Sequence, residues 1–200
     1  ETLYKKIPVT NKNIPFVFEE KGFNYQPITR IDNLCLVGYF QSEKYFKNYE
    51  NEIKNLLEFD EKIKKKINKK ISKIKKKIVG VHVRLGDYLH KQYDGVFHTI
   101  NYSSYLKKAM NLFDDSYEFL IFSDEPSLLK KTIDFNTFVD LKNENEVEDL
   151  YALSQCNSII MSNSSFSWWG GWLGKSKKLI VSPDQWFGPK GPKDYEDRFN

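Results

Sequence analysis

From Ile78 onward the chain alternates short apolar runs with helix-length segments, and that rhythm constrains its fold more than any other feature. The runs at residues 78–84, 118–123, 137–141, 158–162 and 178–182 are strongly apolar. Strands of that kind are buried on both sides, as in parallel sheets covered by helices. Between them, residues 102–113, 126–133, 146–155 and 166–173 read as helices. Repeated strand–helix–strand units predict an α/β domain, Rossmann-like, with a parallel sheet and helices on both faces. Ligands of such sheets sit beyond the carboxyl ends of the strands. The residues to read are therefore 84–88, 123–125, 163–166 and 183–186.

Upstream the pattern is weaker. Residues 1–33 carry Pro8, Pro15 and Pro27 and are expected to be irregular, with one hairpin. Residues 34–38 form a short apolar run that reads as a strand, and Ser42 can cap a helix over 43–59. Next come Ile63, Ile67, Ile71, Ile74 and Ile78, an isoleucine stripe at helical spacing. Ten lysines fall between Lys62 and Lys77, and without them 21 basic residues face 27 acidic ones. The molecule is an acidic body with one basic helix, not the spread-out basic surface of a nucleic-acid-binding domain. No aromatic interleaves the lysines, so nucleic acid is not expected as a partner. Two uses of the helix stay open: packing by its stripe with the lysines solvated, or peripheral contact with an anionic membrane.

Hydrophobic residues make up 40% of the chain and aromatics 16%, enough for a packed core. No apolar run approaches the ~20 residues of a membrane-spanning helix. No basic-then-apolar leader follows Glu1, and a start without Met suggests upstream sequence that this chain lacks. Cys35 and Cys156 stand in no ligand spacing and are expected to be reduced, buried thiols. These features predict a cytoplasmic protein, with peripheral contact at the inner face of the membrane through the lysine helix as one of the two open uses of that helix.

Three constellations carry chemistry. In the first, His82 and Arg84 share one strand face, Gly86 turns the chain, and Asp87 stands within reach. Arg84 can hold a phosphate by a two-pronged contact, or form a structural ion pair with Asp87. In the second, Asn163, Ser164, Ser165 and Phe166 open a helix whose free N–H groups favour an anion, or whose serine merely caps it. In the third, Asp124 follows a strand and precedes Pro126; its carboxylate can accept from the N–H groups of guanine or cap a helix. No glycine-rich dinucleotide loop or phosphate loop is present. No thiol or carboxylate spacing around His82, His90 and His98 supports a metal site, so none is expected.

The segment from His82 to Tyr88 (His-Val-Arg-Leu-Gly-Asp-Tyr) resembles the first motif of the α-1,2-fucosyltransferases, glycosyltransferase family eleven. The run from Ser164 to Gly170 resembles that family's late motif, with Asp149-Leu150 ahead of it and Pro183 and Trp186-Phe187 behind. The stretch from Gly38 to Phe46 is similar to a segment these enzymes carry upstream. The resemblance implies a fold of GT-B type: a GDP-fucose-binding Rossmann-like domain over residues 78–200, and residues 1–77 as the remnant of an acceptor domain with a basic linker helix. It implies transfer of L-fucose from GDP-fucose to the 2-hydroxyl of a terminal β-galactoside, with inversion, and with no cofactor or metal. Arg84 would bind the diphosphate. Ser164, Ser165 and Phe166, with Gly86 and Asn163, would line the donor site, and Asp124 would read guanine. Asp87 and His82 are both open as the base. Leu85 stands where many relatives have a second arginine, which leaves the phosphate charge to Arg84. The family's amino-terminal glycine-rich stretch is absent, so a binding-only or inactive nucleotide-sugar domain is the alternative.

Overall fold

The computed structural model describes residues 15–174 and 177–195. The described residues divide into two units: residues 15–58 with 192–195, and residues 59–191. Pro8 and the expectation for residues 1–14 lie outside the described residues.

In the first unit, β1 (Phe16–Glu19) pairs in parallel with β2 (Leu34–Val37), Phe16 opposite Leu34. This replaces the expected hairpin. A parallel pair needs a long connection, which residues 20–33 supply. Glu20 closes the end of the pair, its Oε2 accepting from the backbone N–H groups of Tyr39 and Phe40 at 2.8 and 2.9 Å. The helix expected over 43–59 is shorter and broken. Ser42 caps it as expected, accepting from Lys44 N–H, but two 3-10 turns (Glu43–Tyr45 and Lys47–Tyr49) precede α1 (Glu50–Leu56). Tyr45 is held by the rings of Tyr25 and Phe40, at 4.9 and 5.1 Å, and Phe46 leaves helical geometry at φ −138°.

The second unit is built on a four-stranded, fully parallel sheet in the order β4-β3-β5-β6. Its strands are β3 (Lys77–Val83), β4 (Tyr117–Ser123), β5 (Ser158–Ile160) and β6 (Ile180–Val181). Side chains alternate across β3. Val79, Val81 and Val83 face α3 (Tyr102–Met110) and join Leu106, Ala109 and Ile121 in one core cluster. Gly80 and His82 face the other way, towards α5 (Glu146–Gln155) and α6 (Ser165–Trp172). Helices thus cover both faces, and α4 (Pro126–Thr132) follows β4.

The strand expected over 137–141 is reduced to one parallel bridge between Val139 and Leu120. Val139 still makes both ladder bonds, donating to Phe119 and accepting from Ile121 at 2.8 and 3.0 Å. Asp140 then turns the chain away by accepting from Lys142 N–H, and Lys142 takes the left-handed conformation at φ 48°.

The lysine-rich helix is also shorter than its isoleucine stripe suggests. Asp60 caps α2 (Glu61–Ile71), and Ile71 ends it. Ile74 lies beyond the helix, and Ile78 belongs to β3, where it is buried and donates its N–H to Asn157 Oδ1 at 2.8 Å. The stripe continued only because a strand begins where the next helical isoleucine would fall. Within α2, Ile67 is fully buried and Tyr151 of α5 donates to Asn68 Oδ1 at 3.2 Å, so the helix packs on α5.

Close packing of α5 depends on Leu153, which is fully buried. A Cβ at Gly80 would lie 2.5 Å from Leu153 Cδ1, so glycine there leaves room for the Leu153 side chain against β3. Leu153→Ala should lower unfolding stability by about 2–5 kcal/mol, measured by urea denaturation.

Candidate active site

In chain order the sheet grows from β3 to β4 on one side and then reverses to β5 on the other side of β3. The crevice where strand order reverses is the expected ligand position in such a sheet. Residues 84–88 and 161–165 border it, so topology brings the first two sequence constellations together. A hydrogen bond joins them: Tyr88 Oη donates to the Asn163 carbonyl at 2.7 Å.

Arg84 stands at the exit of β3 with its backbone fixed by Tyr102, whose hydroxyl accepts from Arg84 N–H and donates to Arg84 C=O. Its guanidinium is clamped by two carboxylates. Nε and Nη2 donate to Asp87 Oδ1 at 3.0 and 2.7 Å, and Nη1 lies 3.3 Å from Asp124 Oδ2. A guanidinium has five N–H donors, so this pairing leaves at least two, one on each Nη, to meet an anion. Its side chain is 31% exposed and lines the cavity described below.

Asp124 does not cap α4. Its Oδ1 accepts from Leu85 N–H at 3.0 Å, while Ser123 Oγ accepts from Glu125 N–H and makes the local turn. Asp124 therefore ties the end of β4 to the end of β3. It also fills the space beside Gly86, where a Cβ would overlap the Asp124 carboxylate. Reading guanine would use the remaining lone pairs of this carboxylate.

His82 lies beneath the site, 3% exposed, with Ser162 Oγ 2.8 Å from Nδ1 and the Phe166 ring 4.9 Å away. Burial, and then the Arg84 charge, pull its pKa down from 6.5 to about 3, so the imidazole is neutral at physiological pH.

The second constellation opens α6. Ser164 Oγ accepts from Phe166 N–H at 3.3 Å and caps the helix, and Ser165 is exposed. Asn163 is buried; its amide donates to the carbonyls of His98 and Trp186 at 3.0 and 2.8 Å, and its Oδ1 has no partner among the described residues.

A cavity of about 520 Å³ opens beside Arg84. That volume suits a nucleotide-sized ligand. His82, Arg84, Asp124 and Phe166 line it; Gly86, Asp87, Asn163, Ser164 and Ser165 do not. Its far wall, Asp140, residues 142–146 and Asp149, carries no signal in the sequence that marks it as a site. These residues form a polar loop and the first turn of α5 with no motif spacing; of them, Asp149 alone belongs to the family pattern. Asp149 Oδ1 accepts from Asn143 Nδ2 at 2.8 Å. Burial lifts its carboxyl above the usual range, against the lowering effect of that bond. Among the described residues, no three His, Cys, Asp or Glu side chains are grouped to hold a metal.

Comparison with known proteins identifies the framework. The model of glycosyl transferase family 11 matches residues 17–199. This chain belongs to that family. It is 28% identical over 166 residues to the O-antigen biosynthesis glycosyltransferase WbnK of Escherichia coli, covering 76% of this chain and 55% of that protein. It is 27% identical over 166 residues to an alpha-1,2-colitosyltransferase of Escherichia coli, with the same coverage. It is 35% identical over 106 residues to human galactoside alpha-(1,2)-fucosyltransferase 1, covering 48% of this chain and 28% of that one. The chain thus spans about half the length of the bacterial relatives. Its parallel α/β architecture is of the GT-B type that the resemblance implied.

The neutral His82 has a consequence for stability. Its folded pKa is depressed, so its contribution is present above 6.5 and lost as pH falls from 6.5 towards about 3. Between pH 7 and pH 5 the chain should lose about 2 kcal/mol through this one group. Urea unfolding at the two pH values should show that loss in the native chain and a smaller one in His82→Gln.

Proposed function

We propose that this chain carries the donor site of an inverting α-1,2-fucosyltransferase that takes L-fucose from GDP-fucose to the 2-hydroxyl of a terminal β-galactoside. The observation that carries this reading is the doubly clamped Arg84 at the mouth of a nucleotide-sized cavity in a chain of this family. Names of relatives support the linkage: two of them specify an alpha-1,2 transfer, one of colitose and one of fucose to a galactoside.

The bond between the anomeric carbon and the diphosphate oxygen breaks early, and negative charge builds on the leaving GDP. Arg84 faces that charge with its free N–H groups, already oriented by Asp87 and Asp124, so little reorganisation is needed in the transition state. The acidic wall at Asp124 and Asp149 suits a base rich in N–H donors, as guanine is. Phe166 supplies an apolar face beside it, and Ser164 and Ser165 border the crevice at the α6 terminus. The galactose hydroxyl attacks from the opposite side and gives up its proton. Asp87 and His82 both stay open as the base: Asp87 is 41% exposed but paired with Arg84, and His82 lines the cavity but is buried. With Arg84 rather than a metal ion facing the diphosphate, transfer should persist in EDTA.

Binding and transfer are tested separately. Calorimetric titration with GDP should show saturable binding. Incubation with GDP-fucose and a β-galactoside should give a product whose NMR spectrum shows an α-1,2 linkage, with GDP-colitose as the competing donor. Arg84→Ala should lower the transfer rate by about 10²–10³. Wild-type rates in that variant would remove Arg84 from the mechanism.

A further inference from the structure

The lysines of α2 do not all face solvent, and two of them grip the far wall of the cavity. Lys70 Nζ donates to Leu141 C=O, Lys142 C=O and Asn143 Oδ1 at 3.1, 3.2 and 2.9 Å. An ammonium has three donors, so all three are engaged on this one turn. The turn is the left-handed one at Lys142, a conformation that residues with a side chain rarely adopt. Lys70 bridges the carbonyl before it and the carbonyl it carries. Asn143, whose Oδ1 Lys70 holds, passes the constraint on by donating Nδ2 to Asp149 in the cavity wall. One helical turn earlier, Lys66 Nζ lies 2.7 Å from both Glu144 Oε1 and Glu148 Oε1. Glu148 is buried, and its other oxygen accepts from Glu144 N–H at 3.1 Å.

We infer that Lys70 is a positioning residue for the donor nucleotide: through Asn143 it fixes the turn at 141–143 and the orientation of Asp149, and so sets the shape of the base-binding end of the cavity. This rests on the reading of the cavity as the donor site. Lys70 touches no ligand in this account. It acts from behind the wall, on a helix whose sequence reads as a solvated or membrane-facing surface.

The test uses the 200-residue chain as Lys70→Met, which keeps an unbranched apolar stem and removes the ammonium. Lys69→Met, at an exposed position on the same helix, controls for loss of one charge. Two quantities are read: GDP affinity by calorimetry, and amide hydrogen exchange of residues 140–146 without ligand. Lys70→Met should weaken GDP binding about tenfold and speed exchange in that loop, as expected when hydrogen bonds from a charged group are lost. In the transfer assay it should raise KM for the donor and leave kcat near its original value. Lys70→Arg should recover part of each effect, and Lys69→Met should show none. Unchanged exchange at 140–146, or unchanged GDP affinity, in Lys70→Met overturns the inference. If Lys70→Met does not fold, Asn143→Ala cuts the same relay inside the loop and must reproduce the loss of affinity. If the native chain binds no GDP, the donor-site reading fails, while loop exchange still decides whether Lys70 holds the wall.

Discussion

The site depends on one carboxylate reaching across two strand ends. Asp124, at the exit of β4, accepts from Leu85 N–H and faces the Arg84 guanidinium at the exit of β3. A parallel sheet leaves its carboxyl ends open, because each strand must depart into a helix on one face or the other. Without that tie, the Arg84 guanidinium would keep only its bonds to Asp87, on a backbone held by Tyr102. The absence of a Cβ at Gly86 makes the tie sterically possible, and Asp87 completes the clamp from the other side. A pre-oriented cation is what a reaction with a diphosphate leaving group needs, since its charge then does work without first being moved into place.

The layer behind the site is as ordered as the site itself. Leu153 seats α5 against the sheet, α2 packs on α5 through Ile67, and the lysines of α2 reach the loop that closes the cavity. Strand, helix and second helix form a chain of contacts from β3 outwards, and the polar wall is its last link. The basic run therefore has an inward task within this unit, whatever its outer lysines meet.

Much of the second unit was legible in the sequence because its signals were local. The residue alternation of β3 and β4 needs no tertiary information, and neither does Ser164 as a cap of α6. Errors arose where two periods coincide or where pairing decides. Ile74 and Ile78 extend the stripe of α2 by accident: Ile78 fits the helical stripe and the strand run 78–84 alike, and the ladder with β4 decides for the strand. Residues 137–141 have strand composition, yet one residue pairs, because Asp140 turns the chain. In the site, Arg84 and Phe166 announced themselves by motif, and the topology brought them to one cavity. Asp124 could be read as cap or ligand, and its cross-strand bond to Leu85 is invisible without coordinates. The wall at 140–146 carries no motif, and its bonds to Lys66 and Lys70 of α2 come from a helix far away in sequence.

The most direct test of this account is a crystal structure of the chain with GDP bound. The account predicts the diphosphate against the free N–H groups of Arg84, and the base towards Asp149 and the 140–146 wall. GDP lodged elsewhere, or in this cavity with its phosphates out of reach of Arg84, would contradict it.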